Sequence, residues 1–236
     1  MASPMLNLVG VAKHFGEIEA LSLVDLKIYS GQIIGLVGGN GAGKTTLLRL
    51  MAGVMEPTKG TITFENKPVS QMRKRLGVVP ESTGLYSRLT AWENIRYHSR
   101  MYGVDDKDSW NRVSHFAKRL DILDALPRHT KGFSRGMRQK TALIRALAHG
   151  PDILLLDEPT AGLDVTSART VRSLVQQLRD EGGTVIYSTH HLAEAHQVCD
   201  RIIIVHNGTI RADGSPNELL ELTDCESLEE AYVSLT

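Results

Sequence analysis

The chain has little cysteine, no excess charge and no long apolar run, and each shortage closes off a class of protein. Only Cys199 and Cys225 occur, with no C-x-x-C pair. That leaves no zinc site or disulfide framework and suits a reducing compartment. Lys+Arg and Asp+Glu balance at 27 each, so the whole chain offers no field to gather nucleic acid or an anionic membrane. Nucleic acid is therefore not expected as a partner. No run approaches the ~18 apolar residues that would span a bilayer. The start, Met-Ala-Ser-Pro, lacks a charged segment followed by an apolar stretch, so no secretory leader is read. A cytoplasmic location is expected. With 236 residues, 42% of them apolar, the chain has material for one large domain, or a core with an insert.

What is present is organised around Gly38-Gly39-Asn40-Gly41-Ala42-Gly43-Lys44-Thr45, followed by Thr46. The form is G-x-x-x-x-G-K-[ST]. Ile33-Ile34-Gly35-Leu36-Val37 before it reads as a short buried strand, and Leu47, Leu48, Leu50 and Met51 after it have helical spacing. A loop between a strand and a helix is the context in which this pattern binds phosphate. Small residues let successive N–H groups point inward, and the new helix adds its free N–H groups and positive dipole end. Lys44 supplies a point charge for the β- and γ-phosphates, and the Thr45 hydroxyl can ligate Mg²⁺. This motif specifies a nucleoside triphosphate, not the use made of it.

Residues 6–11 and 23–28 read as strands, with Phe15 just outside the first; edge packing and ligand stacking fit it about equally. Residues 60–64 and 76–79 read as further strands. Arg73-Lys74-Arg75 is read as a solvated helix face. From about residue 90 to 150 the pattern turns helical. Thr90-Ala91-Trp92-Glu93 has the capping-box form, and Trp110, Val113, Phe116, Ala117 and Leu120 are expected as core along a helix over 108–123. A helical subdomain over about 85–150 is therefore expected inside an α/β core. Ser134, Arg135 and Gly136 stand at a predicted helix start, where a hydroxyl, a cation and a close-approach backbone suit an anion; a plain capped helix is the other reading. Ile153–Asp157 is a buried strand ending in Asp157 and Glu158, the first suited to Mg²⁺ and the second to the attacking water. A loop, Ala161–Asp164, precedes an amphipathic helix. Residues 184–189 are another buried strand, ending at His190-His191, where an imidazole can donate to a γ-phosphate oxygen. Asn207-Gly208 signals a hairpin, Ser215-Pro216 starts a helix, and the tail has helical spacing expected to pack on its own chain.

The order of these elements resembles the nucleotide-binding subunit of an ABC transporter, over about residues 5–220. The resemblance implies an α/β fold: a RecA-like P-loop NTPase core with an N-terminal antiparallel β subdomain and the inserted helical subdomain, followed by a helical tail over 221–236. Carried over by position, it implies that Phe15 stacks on adenine and that Gly38–Thr46 is the Walker A loop. Asp157 becomes the Walker B aspartate, Glu158 the catalytic glutamate, Asp164 part of the D-loop and His190 the switch histidine. Phe133–Met137 falls at the Leu-Ser-Gly-Gly-Gln signature, so Ser134 and Gly136 would close on ATP held by a second copy or homologue. Three departures stand out. Glu81 occupies the Q-loop glutamine position, where a carboxylate can still meet Mg²⁺. Arg135 and Met137 replace signature residues, and Gly39 replaces a frequent proline. ATP and Mg²⁺ are the implied cofactors, with a separate transmembrane permease as partner on the inner face of the cell membrane. The Ser-Arg-Gly-Met-Arg-Gln form and the Ser-Leu-Glu-Glu-Ala-Tyr tail resemble the type-2 export branch of sodium-efflux and drug-resistance ATPases. An importer ATPase and a soluble ABC-type ATPase without a transporter are the alternatives.

Overall fold

The computed structural model describes residues 3–236; the Met1-Ala2 start used above against a leader lies outside them. The chain forms two compact units, one from the N-terminal part up to Arg73 with Leu178–Thr236, the other from Lys74–Gln177.

The first unit opens with β1 (Leu6–Phe15) and β2 (Ile18–Ile28), then β3 (Ile33–Val37), α1 (Lys44–Met51), β4 (Lys59–Phe64) and the two-residue β5 (Lys67–Pro68). β2, β1, β4 and β5 form an antiparallel sheet in that order. β1 pairs with β2 from Leu6↔Ile28 to Phe15↔Ile18, with register shifts between Leu8 and Val11. Gly10, at φ +56°, sits in that irregularity, and its N–H donates to Asp25 Oδ1 at 2.8 Å. The bulge breaks the two-residue alternation, which is why sequence spacing ends the strand at residue 11. Pairing resumes beyond it, and Phe15 is the strand's last residue rather than a loop residue.

The second unit begins with β6 (Leu76–Val79), followed by α2 (Ala91–Met101), α3 (Asp106–Arg119), α4 (Arg135–Leu147), β7 (Ile153–Asp157) and α5 (Val165–Asp180). β6 and β7 are parallel. Arg73–Arg75 is a short 3-10 turn, and Arg75 is ion-paired with Asp152. The capping box of α2 forms: Glu93 N–H donates to Thr90 Oγ1 at 3.1 Å and Thr90 N–H donates to Glu93 Oε2 at 2.8 Å. α2, α3 and α4 pack on one another. In α3 the expected core needs correction. Val113, Ala117 and Leu120 are buried, but Trp110 is 43% exposed and lies edge to face on Trp92 at 4.9 Å. Buried Ser109 takes the inward place, donating to Ser99 Oγ at 2.9 Å. The helix also starts earlier than spacing suggests, because the Asp105 side chain accepts from the N–H groups of Lys107 and Asp108.

The chain returns to the first unit as β8 (Thr184–Thr189), α6 (Leu192–Val198), β9 (Arg201–His206), β10 (Thr209–Gly214), α7 (Pro216–Thr223) and α8 (Leu228–Leu235). β3 lies parallel to β8 on one side and β9 on the other, and β9 turns back into antiparallel β10 through Asn207-Gly208. All five residues of β3 and all six of β8 are buried. A strand covered on both faces has no reason to alternate: β3 has no polar side chain, and β8 buries Thr184, Ser188 and Thr189 along with Val185, Ile186 and Tyr187. Ser215 and Glu218 complete a second capping box with Pro216 at the first helical position. Helix α8 packs on α6 and α7. No helix of the described residues is long and apolar enough to cross a membrane.

Candidate nucleotide site

In the first unit, Gly38 to Gly43 carry the chain from β3 into α1. Gly43 caps α1 at φ +109°, a backbone state that L side chains rarely adopt. A β-carbon there would also lie 2.9 Å from the Ala20 carbonyl oxygen. At Gly38 the demand is for space, since a β-carbon would overlap the Val205 carbonyl oxygen of β9. The loop is closed by Ala42 N–H donating to Gly39 O at 3.2 Å, and the helix opens with Leu47 N–H donating to Gly43 O at 2.9 Å. Lys44 is only 6% exposed. Its ammonium donates to Gly38 O at 2.7 Å and Gly39 O at 3.1 Å. Asn40 and Gly41 are exposed, while Thr45 and Thr46 are half-buried at the start of α1.

Phe15 is 47% exposed, with Lys13 Nζ 5.3 Å from its ring centroid. A half-exposed ring with a cation over it suits stacking near a base that carries phosphates. His190 and His191 stand exposed after β8 with ring centroids 3.9 Å apart. Their turn is fixed by Thr189: its hydroxyl accepts from His191 N–H at 3.0 Å and donates to the buried Glu194 carboxylate at 3.1 Å.

The second unit carries the acidic residues. Asp157 ends β7 and is 6% exposed. Glu158 follows at φ +48°, a left-handed conformation costing about 1 kcal/mol or more outside glycine. Ala161 N–H donates to its carbonyl at 3.1 Å, so the turn is locked immediately after the two carboxylates. Asp164 accepts from Ser167 N–H and Ser167 Oγ, each at 2.8 Å, opening α5. These bonds, the backbone one first, hold the Asp164 carboxyl below its ordinary pKa.

Ser134 caps α4, accepting from Met137 N–H at 3.2 Å. Ser134 and Arg135 are exposed and Gly136 is buried. A β-carbon at Gly136 would lie 2.6 Å from Ser167 Oγ, so a side chain there would push aside the Ser167 hydroxyl that bonds Asp164. A β-carbon at Gly162 would overlap the Arg135 guanidinium, which places that cation against the Ala161–Asp164 loop. Glu81 is exposed. Just beyond it, Arg145 of α4 donates to the carbonyls of Thr83 at 2.7 Å and Gly84 at 3.1 Å, and burial lowers the guanidinium's pKa.

Two supporting residues stand outside the loop's own motif. Gly208 N–H, in the β9–β10 turn, donates to Ala42 O at 2.9 Å, and the Tyr232 hydroxyl of α8 accepts from Gly39 N–H at 3.1 Å. Both lie far from the loop in sequence, so spacing could not find them. The donors that the sequence assigns to a metal, the Thr45 hydroxyl and the carboxylates of Asp157 and Glu81, are all oxygen. Oxygen donors of this kind suit a hard cation such as Mg²⁺.

Residues 21–161 match the family described as ABC transporter, and the chain belongs to that family as an ATP-binding subunit and ATPase. It is 39% identical to the ABC transporter ATP-binding protein NatA of Bacillus subtilis, over 98% of this chain and 97% of that one. It is 33% identical to Nod factor export ATP-binding protein I of Cupriavidus pinatubonensis, over 92% of this chain and 68% of that protein. Among solved structures, an ATP-binding subunit of an ABC transporter superposes with a TM-score of 0.90 at 28% identity, covering 98% of this chain and 99% of that one. A dimeric bacterial ABC transporter cassette superposes with a TM-score of 0.82 at 28% identity, covering 89% and 98%.

Proposed function

We propose that this subunit drives export through a separate membrane permease, using ATP to close a pair of such subunits and hydrolysis to release them. The observation that carries the pairing is the start of α4. Ser134 and Arg135 are exposed at the N-terminus of a 13-residue helix, an end that attracts anions, and the related cassette is a dimer. The partner copy's ATP is the anion that fits. Export rather than import is favoured by the relative whose name specifies export.

In this reading Phe15 stacks on adenine, and the loop N–H groups from Gly38 to Thr46 hold the phosphates. Lys44, its ammonium aimed by the Gly38 and Gly39 carbonyls, brings its charge to the β- and γ-phosphate oxygens. Thr45, Asp157 and Glu81 are the residues that would hold Mg²⁺, which when bound neutralises charge developing on the phosphates. Glu158 orients and deprotonates the attacking water, and His190 donates to a γ-phosphate oxygen. Ser134 and Gly136 act on the partner's nucleotide, and the Asp164 loop is carried with them. The permease docks near Glu81–Tyr102, where Tyr86 and Tyr97 are exposed edge to face at 5.9 Å and Met101 is 65% exposed. The subunit would thus sit in the cytoplasm, peripheral to the membrane.

The test is Glu158→Gln, examined with ATP by light scattering and by phosphate release. Turnover should fall at least about 100-fold, while an ATP-dependent dimer accumulates. Normal turnover would remove Glu158 from its role, and a chain that stays monomeric with ATP would remove the pairing. Co-purification from membranes should recover an integral protein, and its loss on mutating Tyr97 and Met101 with nucleotide binding intact would locate the docking surface.

A further inference from the structure

The Gly38–Gly39 peptide is clamped at both ends. Its carbonyl accepts from Lys44 Nζ at 2.7 Å, and its N–H donates to the Tyr232 hydroxyl at 3.1 Å. The second bond joins the phosphate loop to the last helix of the chain, across 193 residues of sequence. Backbone groups also approach the loop from outside it: the Ala20 carbonyl of β2 against Gly43, the Val205 carbonyl of β9 against Gly38, and the Gly208 N–H on Ala42 O. Tyr232 adds a hydrogen bond from a side chain.

Helix α8 is built to hold that hydroxyl in place. Ser227 caps it by accepting from Glu230 N–H, Leu228 and Ala231 are buried, and the Thr236 hydroxyl donates to Tyr232 O at 2.8 Å. At Gly39 neither backbone nor space demands glycine. Its φ is outside the left-handed region, and a β-carbon would lie 3.7 Å from the Tyr232 oxygen, an ordinary contact. What the position supplies is an N–H, which a proline would not.

We propose that α8 is a latch on the nucleotide site and that Tyr232 is its positioning residue. By fixing the plane of the Gly38–Gly39 peptide, the hydroxyl fixes the carbonyl that orients the Lys44 ammonium, so nucleotide affinity and docking of α8 are linked. Linkage is reciprocal, and bound nucleotide therefore alters the protection of α8. The inference rests on the reading of Gly38–Thr46 as the phosphate-binding loop.

The experiment measures Mg-ADP affinity of the full chain by calorimetry for wild type, Tyr232→Phe, Gly39→Pro and the double variant. Tyr232→Phe keeps the ring and removes the acceptor, and it should weaken binding about threefold to tenfold, the effect of one hydrogen bond. In the Gly39→Pro background, which has no donor, the same change should have no further effect. Equal affinities for wild type and Tyr232→Phe, or an undiminished effect in the Gly39→Pro background, would overturn the latch. Amide exchange gives a second reading that does not need the proline variant. Tyr232→Phe should speed exchange at Gly39, and ADP should change exchange across residues 228–235 of the wild type; no change at either place overturns the latch. A wild type that binds no ADP would remove the phosphate-loop reading and the latch with it, whereas a binding wild type indistinguishable from Tyr232→Phe removes the latch alone.

Discussion

Single atoms decide much of this molecule. Gly43 combines φ +109° with a 2.9 Å approach to the Ala20 carbonyl, so Gly43→Ala must both strain the backbone and push β2 away. The cost should be about 1–3 kcal/mol of stability, read as a lowered denaturation midpoint, and nucleotide affinity should fall more than about tenfold because the loop N–H groups lose their aim. Ser134 has two separable roles. Ser134→Ala should lose about 1 kcal/mol through the missing cap, whereas Ser134→Asp should restore stability but not turnover, because a carboxylate opposes the phosphate it is proposed to meet. Recovery of phosphate release in the Asp variant would contradict the role given to Ser134. The residue types at these positions were legible from spacing alone. Their reasons were not: Gly136 looks like a phosphate-approach residue in sequence, yet its intrachain demand comes from Ser167.

At the scale of elements, the helices of the second unit surround a set of stacked rings that no motif announces. His98 of α2 lies 4.8 Å from the Tyr102 ring, which stacks on His149 at 4.0 Å. Burial first, then the charge of Arg145, pushes His98 down to about 4 from 6.5, and burial likewise lowers His149. The unfolded chain takes up a proton near 6.5 that folded His98 refuses until about 4. Between those values the unfolded state binds more protons, so stability must fall as pH falls through that window. Denaturant midpoints measured from pH 7 to pH 4 should decline, and His98→Gln should flatten the decline. An unchanged slope in that variant would show that other groups control it. The capping boxes of α2 and α7 were readable because caps are local chemistry. The extension of β1 through Phe15 was not, because a bulge at Gly10 hides the alternation that marks a strand. Trp110 misled for a related reason: helical spacing identifies a face, but only packing decides whether the face is covered.

For the whole molecule, the consequence of binding nucleotide on the folded state alone is stabilisation by mass action. At about 100 times the dissociation constant, ADP should add about 2.7 kcal/mol, seen as a raised midpoint. Lys44→Ala should abolish the shift, since the ammonium anchored on the Gly38 and Gly39 carbonyls is the charge proposed to meet phosphate. A persisting shift in that variant would place the nucleotide elsewhere.

The sequence by itself determined the family, the phosphate loop, the acidic strand end and the helical insert, because each depends on neighbours a few residues apart: a strand, a turn and a cap are short-range physics. Only the tertiary structure decided which groups hold the loop in place. Val205, Gly208 and Tyr232 reach it from more than 150 residues away in the chain, and a hydrogen bond between such partners leaves no period, spacing or composition for a sequence to display.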